Sequence, residues 1–281
     1  MQPESAAPTA AVPAPLRGGI DLRALAALFG LTLRQHARGR RLLILIVLFA
    51  LPSAVAILAR ATDEQASTAK LSFGLLFTLI PHALVPLAAL LYASGMIQDE
   101  VEEQTLTYLL IRPLPRWAIY LVKLVATWLV TAALAAVFTF VTYVVVFWGQ
   151  DDFWGKAMPD QAARMAGLLA LALTAYCSIF SLLSLFARRS LVVGVAYIIV
   201  FEGVLANIDF VVRRFTVMYY FRVLCARWLG VEFREWSIDL AKAPEAGECV
   251  WTLLVTAVIA AALAATVFAA REFRVKTPEG S

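Results

Sequence analysis

The sequence MIQDEVEEQTLTYLLIRPLPRWAIYLVK, from Met96 to Lys123, shows how this chain is organised. It lies between two long apolar segments and combines an acidic run, a short leucine-containing stretch and the stop Arg-Pro-Leu-Pro-Arg. A connection between two apolar helices has no structural need for this many charged residues. The pattern therefore favours a docking element for a partner over the simpler alternative, a solvated acidic turn. The carboxylates of the acidic run are Asp99, Glu100, Glu102 and Glu103.

The segments on either side of this stretch are long enough to cross a membrane. The chain is 62% hydrophobic with a mean hydropathy of +0.80, whereas soluble domains are about half apolar. A hydrocarbon core of about 30 Å is crossed by about 17–25 helical residues, and continuous apolar runs exclude a barrel. We predict an all-α integral membrane protein with six transmembrane helices. They are Leu42–Leu58, Leu71–Ile97, Trp117–Trp148, Met165–Phe186, Leu191–Ile208 and Val250–Ala270.

Basic residues near the ends of these spans predict that both termini are cytoplasmic. The opposite loops carry Arg60, Lys70 and Lys156 beside several acids. The connection 209–249 also carries arginines, but long connections count for less in this rule. The net charge of +4 is ordinary for such a protein and does not support nucleic-acid binding. The basic residues on the predicted inner side are Arg34, Arg38, Arg40, Arg41, Arg112, Arg116, Arg188, Arg189, Arg271, Arg274 and Lys276.

The segments outside the spans have distinct patterns. Residues 1–20 are rich in Ala and Pro and predict a disordered cytoplasmic tail without a cleavable signal. Leu22, Leu25, Phe29 and Leu33 share one helical face, which predicts an amphipathic elbow helix over 21–37. The basic cluster that follows it, through Arg41, is expected to meet anionic membrane-lipid headgroups. The helix is either an ordinary interfacial anchor or an elbow that also touches a cytoplasmic partner. Residues 209–249 are too interrupted to span and too apolar for a solvated loop, so we predict re-entrant or interfacial helices at the outer face.

Two polar residues lie within the predicted spans. His82 follows Pro81, and a proline-induced kink or local unwinding is a simpler interpretation than a proton or metal site. Glu202 needs a partner or a wet cavity, because a charge at the bilayer centre costs ~2.5–3.5 kcal/mol. An ion pair with Arg213 or Arg214 is favoured over a substrate-binding role.

The cysteines and the missing motifs limit which catalytic, cofactor and metal sites this chain is expected to have. Cys177 reads as a packing residue, and a disulfide between Cys225 and Cys249 is left open. The sequence has no phosphate-binding glycine loop, no HExxH and no GxSxG. We therefore expect no catalytic residue, bound cofactor or metal in this chain.

The Met96–Lys123 stretch resembles the signature of ABC-2-type transporter permeases. In that family an acidic run leads into Gly-Thr-Leu, then leucines, Arg/Ser-Pro-x-x-Arg and a lysine one turn into the next helix. The segments Glu102–Leu106 and Arg112–Arg116, with Lys123, match this order, with Gln104 where glycine is usual. Phe201–Asn207 is similar to a second family segment, Trp-Glu-Gly-Leu-Leu. In size and layout the chain is similar to the bacitracin-resistance, gliding and nitrous-oxide-reductase maturation permeases.

The resemblance implies a type V exporter-like ABC-2 architecture, with the permease domain over 21–281 and a cytoplasmic coupling loop over 98–116. It implies a non-catalytic subunit that works with a separate ATP-binding subunit, which holds ATP and Mg²⁺, and with a second permease copy or paralogue. The transporter would export a substrate or signal mechanically to a periplasmic partner. An ATP-independent channel or lipid scramblase is the alternative. The expected ATPase-coupling residues are Asp99, Glu100, Glu102, Glu103, Thr105, Leu106 and Arg112.

Overall fold

The computed structural model describes residues 22–62, 67–102, 114–149, 157–187, 189–207, 211–231, 236 and 238–271. The predicted tail and the middle of the 98–116 stretch lie outside these ranges. Every regular element within them is helical. The α-helices are α1 (Leu22–Arg38), α2 (Arg40–Thr62), α3 (Thr68–Leu71), α4 (Val85–Glu102), α5 (Arg116–Val146), α6 (Ala157–Phe186), α7 (Ser190–Tyr197), α8 (Val217–Leu229) and α9 (Ala246–Ala270).

Six helices are long and apolar enough to cross a membrane, which confirms the predicted number. The second comprises α3, a π-helical stretch over Ser72–Leu84 and most of α4. The fifth comprises α7, a π-helical stretch over Ile198–Val204 and a short 3₁₀ turn over Leu205–Asn207. The six spans are Arg40–Thr62, Thr68–Glu100, Arg116–Val146, Met158–Phe186, Ser190–Asn207 and Ala246–Ala270.

Polar contacts at the helix ends show that the second and fourth spans end at one side of the bundle and that the first and third spans end together at the other. At one end, the Gln98 side chain of α4 donates hydrogen bonds to the carbonyls of Ser184 and Ala187, where α6 ends. The donor–acceptor distances are 3.3 and 2.9 Å. At the other end, Arg60 of α2 donates to the carbonyls of Val146 and Trp148, where α5 ends. We call these the α1 end and the α8 end of the bundle, after the additional helix that lies at each.

Helix α6 is the centre of the bundle, and its largest contacts are with α4, α5 and α9. Small residues allow this, because they let helix backbones approach closely in a membrane protein. Those buried on α6 include Ala162, Ala172, Ala175, Ser178 and Ser181.

The two π-helical stretches lie where the sequence places polar residues inside spans. Pro81 is within the first. Proline has no backbone N–H and its ring clashes with the preceding turn, and the wider π-helical turn relieves that clash. The predicted local unwinding therefore takes the form of a π-helix, with α4 continuing directly from it. Glu202 is within the second stretch. Such stretches occur frequently at functional sites.

Helix α1 packs against the start of α5 through a face that overlaps the predicted one. Leu25 packs against this contact, and Phe29 and Leu33 are partly buried. Leu28 and Thr32 are buried, and Leu28 contacts Leu114 and Ile119. Leu22, which was predicted on the apolar face, is 75% exposed. The helix turns its Leu28 side inwards because the apolar start of α5 offers a partner there.

Helix α8 occupies part of the predicted 209–249 segment, and most of its residues are buried. The Thr216 hydroxyl caps its start by accepting from the Tyr219 N–H after 3.3 Å, and Gly230 ends it in the left-handed region at a φ of 64°. The helix packs on α6 and α9. Cys225 on α8 and Cys249 on α9 are both free and buried, as is Cys177, so the disulfide left open by the sequence is not formed.

Candidate functional site

The α1 end of the bundle holds two ion pairs that connect three helices. Arg41 at the start of α2 contacts Asp99 in α4 at 2.7 Å. Lys123 in α5 pairs with Glu100 in α4 and also donates to the Met96 carbonyl after 3.0 Å. We call these residues, together with His36 of α1, the α1 junction.

The Lys123–Glu100 pair is the buried part of the α1 junction. The Lys123 side chain is 3% exposed and the Glu100 side chain 13%, whereas Arg41 and Asp99 are both more than one-third exposed. A lysine two turns into a membrane helix is costly without an acid beside it. The sequence supplies that acid by ending the preceding span in an acidic run.

His36 attaches α1 to the spans. Its Nε2 lies 3.0 Å from the Thr127 hydroxyl of α5, its ring packs edge-on against Tyr92 of α4 at 4.7 Å, and the Tyr92 hydroxyl donates to its carbonyl after 3.1 Å. Burial, with the charges of Lys123 and Arg41, lowers the pKa of His36 from 6.5 to about 4. His36 is therefore neutral at pH 7.

The lowered pKa predicts a pH-dependent stability that His36→Gln reduces. Between pH 6.5 and pH 4 the unfolded chain binds a proton at His36 that the folded chain does not, so stability is lost as the pH falls through this window. Glutamine keeps a polar contact for Thr127 but does not titrate. The melting temperature should therefore drop less in the variant than in the wild type between pH 7 and pH 4.5. Equal drops in the two proteins would contradict the role of His36.

Gly95 makes room for the exposed ion pair of the junction. A Cβ at this position would lie 1.4 Å from the Arg41 Nη1, so any side chain displaces the guanidinium. The guanidinium lies against the α4 backbone only because this residue has no side chain.

Gly95→Ala should therefore separate Arg41 from Asp99. A half-exposed pair contributes about 1 kcal/mol or less, so we expect a small loss of melting temperature. The decisive comparison is a double-mutant cycle. Asp99→Asn should lower the melting temperature of the wild type and leave that of Gly95→Ala unchanged. Gly167→Ala in α6 is the matched control, since a Cβ there meets no atom within 4 Å.

The predicted coupling residues fall into two groups. Asp99 and Glu100 lie in the last turns of α4 and belong to the α1 junction. Glu102 is the final residue of α4, and its side chain is not described. Glu103, Thr105, Leu106 and Arg112 lie outside the described residues. Their coupling role stays a prediction.

A second polar cluster surrounds Arg222 of α8, whose side chain contacts the first π-helical stretch and the 3₁₀ turn that follows the second. Its guanidinium donates hydrogen bonds to Asn207 Oδ1 at 2.8 Å, to the Ala206 carbonyl at 3.3 Å and to His82 Nε2. Arg222 is only 6% exposed, and its guanidinium lies 6.0 Å from the Trp236 ring centre. We call His82, Glu202, Asn207 and Arg222 the buried arginine cluster.

The contacts of His82 define which ring nitrogen carries the proton. Nδ1 lies 3.1 Å from the Thr78 carbonyl, which can only accept, so Nδ1 is the donor. Nε2 then offers a lone pair to the Arg222 guanidinium. His82 therefore acts as a neutral hydrogen-bond acceptor that joins the first π-helical stretch to α8, which agrees with a structural interpretation.

Glu202 is 1% exposed and accepts from the start of α8. Its two carboxylate oxygens lie 3.3 and 3.1 Å from the backbone nitrogens of Val217 and Met218. The helix N-terminus favours negative charge there, and the Arg222 charge acts on the same carboxylate. These contacts differ from the ion pair with Arg213 or Arg214 that the sequence favoured, and that pairing stays a prediction.

Sequence reasoning missed the two cations at the centre of these clusters. Lys123 was noted as part of a signature, but Glu100 was not recognised as its partner. Arg222 was counted among the basic residues of a long connection. The available signal was its position inside the apolar helix VMYYFRVLCARWL, where a single buried cation needs acceptors nearby.

The fold and these clusters define a multi-pass α-helical membrane protein. A family model described as ABC-2 family transporter protein matches residues 26–221, well over half of the chain. The chain belongs to the ABC-2 family of transporter membrane proteins, as the signature in Met96–Lys123 predicted. Membership makes it a membrane component of an ABC transporter, which works with an ATP-binding subunit. A comparison with curated proteins gives no match.

Proposed function

We propose that this chain is the permease subunit of an ATP-driven ABC-2 transporter in the bacterial cytoplasmic (inner) membrane. Both termini are cytoplasmic, so the α1 end faces the cytoplasm. A dimer of separate ATP-binding subunits holds ATP and Mg²⁺, and a second copy or a paralogue completes the membrane part. The observation that carries the proposal is the α1 junction, which connects the helices on both sides of the acidic stretch.

The junction supports coupling because a force on the acidic stretch reaches four helices at once. The stretch continues directly from the last turn of α4, which is joined to α2 through Asp99 and to α5 through Glu100. His36 adds α1 through its contacts with α4 and α5. A partner that moves residues 102–116 therefore moves α1, α2, α4 and α5 together.

A further contact extends this connection to the fourth and fifth spans. Gln98 donates to the Ser184 and Ala187 carbonyls and accepts from the Ser190 hydroxyl at 2.6 Å. The end of α4 is thus hydrogen-bonded to the turn between α6 and α7. Closure of an ATP-binding dimer would rock these spans as a unit and open a path along the permease interface.

The coupling motion serves either export or a mechanical signal. Export of a lipid, peptide, antibiotic or polymer is the first form. Mechanical signalling to a periplasmic partner is the second, and the 209–249 segment supplies a surface for it. Both forms require the ATP-binding subunit at the α1 end.

The test is co-purification of this chain with the products of its neighbouring genes in mild detergent. Glu102→Lys combined with Glu103→Lys should remove the ATP-binding subunit from the purified complex, because leucines such as Leu106 dock only when the acidic run beside them is attracted to the partner. Mass spectrometry and ATP hydrolysis report the loss.

A charge reversal at the other end of the bundle is the matched control. Asp239→Lys changes an exposed acid near α8 and should leave the complex intact. Unchanged co-purification of the Glu102/Glu103 variant would contradict the coupling role of the acidic run. A wild-type chain that purifies without any ATP-binding companion would move the assignment to an autonomous channel or scramblase.

A further inference from the structure

A charged cavity of about 400 Å³ lies at the α1 end, between α1, α2, α4 and α5. Cations outnumber acids in its wall. The ionised residues that line it are Arg38, Arg40, Arg41, Lys123, Asp99 and Glu100.

The two acids of the wall are already engaged by two of the cations. Asp99 pairs with Arg41, and Glu100 pairs with Lys123. Neither Arg38 nor Arg40 is paired with an acid in the part of the chain that the structure describes, and both are exposed. The cavity therefore presents the guanidinium groups of Arg38 and Arg40 beside two ion pairs whose charges cancel. Guanidinium groups match phosphate geometry through paired hydrogen bonds.

An exposed apolar strip leads away from this cavity along α2. Leu43, Val47 and Leu51 are 66%, 70% and 45% exposed and follow one another at intervals of four residues. They lie on the same helical face as Arg40. From Arg40 to Leu51 the helix rises about 16 Å, which is close to half of the ~30 Å hydrocarbon core. A headgroup at Arg40 would therefore have its acyl chain against this strip.

We propose that this cavity binds the phosphate group of an anionic phospholipid through Arg38 and Arg40, with the acyl chains along Leu43, Val47 and Leu51. A basic pocket between spans at the membrane surface is a known kind of headgroup site. Free phosphate has the same chemistry at the guanidinium groups, but only a lipid uses the apolar strip. The inference takes one thing from the proposed function, namely that the α1 end lies in the cytoplasmic leaflet. Lipid binding itself does not require the ATP-binding subunit.

The cavity adjoins the Arg41–Asp99 pair. A bound phosphate would neutralise the excess positive charge of the cavity wall and so reduce the repulsion among the arginines beside this pair. Lipid composition would then set how firmly α1 and α2 are held to α4. This is a regulatory input at the coupling end that differs from substrate binding.

The test compares retained lipid in nanodiscs that contain phosphatidylglycerol, counted by native mass spectrometry. Arg38→Gln combined with Arg40→Gln should reduce retained phosphatidylglycerol about tenfold or more, since each surface arginine contributes measurably to anionic-lipid binding. Arg34→Gln is the matched control, because Arg34 is exposed on α1 but does not line the cavity. Equal retention in the double variant and the wild type would overturn the site.

A second arm separates a lipid from free phosphate. Leu43→Ser combined with Val47→Ser should lower retention of phosphatidylglycerol although both arginines remain. Wild-type protein in phosphatidylcholine nanodiscs, titrated with inorganic phosphate, should bind it weakly. Tight phosphate binding with no effect of the serine substitutions would overturn the lipid assignment in favour of a soluble phosphate compound. Melting temperatures of all variants check that folding is retained, and failure of the ATP-binding subunit to co-purify would leave these lipid results unaffected.

Discussion

Replacing Lys123 by methionine is expected to destabilise this permease more than any other single change at the α1 end. Methionine fits the space of the lysine stem but leaves Glu100 beside an apolar side chain. Removal of one partner from a buried ion pair costs about 3–5 kcal/mol, because the remaining charge stays desolvated. The measurement is the melting temperature of the detergent-purified protein. We expect a clear drop and weaker co-purification of the ATP-binding subunit.

A second substitution tests whether the loss comes from the pair itself. Lys123→Met combined with Glu100→Gln removes both charges and should recover part of the lost melting temperature. Lys242→Met is the control, since Lys242 is 86% exposed beside Asp239 and its pair contributes little. A Lys123→Met protein as stable as the wild type would show that the junction is not held by this pair.

Replacing Arg222 by methionine is the second change with a large expected effect. It removes the donor from three acceptors, the buried Ala206 carbonyl and the partly buried contacts at His82 Nε2 and Asn207 Oδ1. Each buried polar group left without a partner costs about 1–3 kcal/mol. We expect α8 to separate from the second and fifth spans, together with a lower melting temperature.

Thiol labelling measures the release of α8 directly. Cys225 is fully buried on this helix, so a maleimide should label it only when α8 moves away. The experiment uses a background in which Cys177 and Cys249 are replaced by alanine. Arg222→Lys should show an intermediate effect, because one ammonium cannot reach all three acceptors. The exposed Lys242→Met is the control, and labelling of Cys225 that is equal in all variants would contradict the anchoring role.

The spans could be predicted because their signal is local. Continuous apolar runs of sufficient length define a membrane helix without knowledge of its neighbours, and all six were found. The ends were less certain because Arg40 and Glu100 are charged yet helical. The partner of a buried polar residue could not be predicted in the same way. Arg222 and His82 are 140 residues apart, and only the packing of α8 against the first π-helical stretch brings them together.

The Lys123–Glu100 pair lies between these cases. The two residues are separated by 23 positions, across a connection that reverses the chain. An acidic run at the end of one span and a lysine two turns into the next therefore predict an ion pair on topology alone. The periodicity of α1 predicted most of its inward face, but not the exposure of Leu22 or the burial of Leu28, because these depend on the apolar surface at the start of α5.

The most direct test of the central claim is site-specific photocrosslinking in the reconstituted complex. A photoreactive amino acid at Leu106 should crosslink the permease to the ATP-binding subunit, whereas the same group at Trp251, near the α8 end, should not. That result would establish that the acidic stretch is the docking element and that the α1 end faces the cytoplasm. Crosslinking from Trp251 but not from Leu106 would contradict both the orientation and the coupling role.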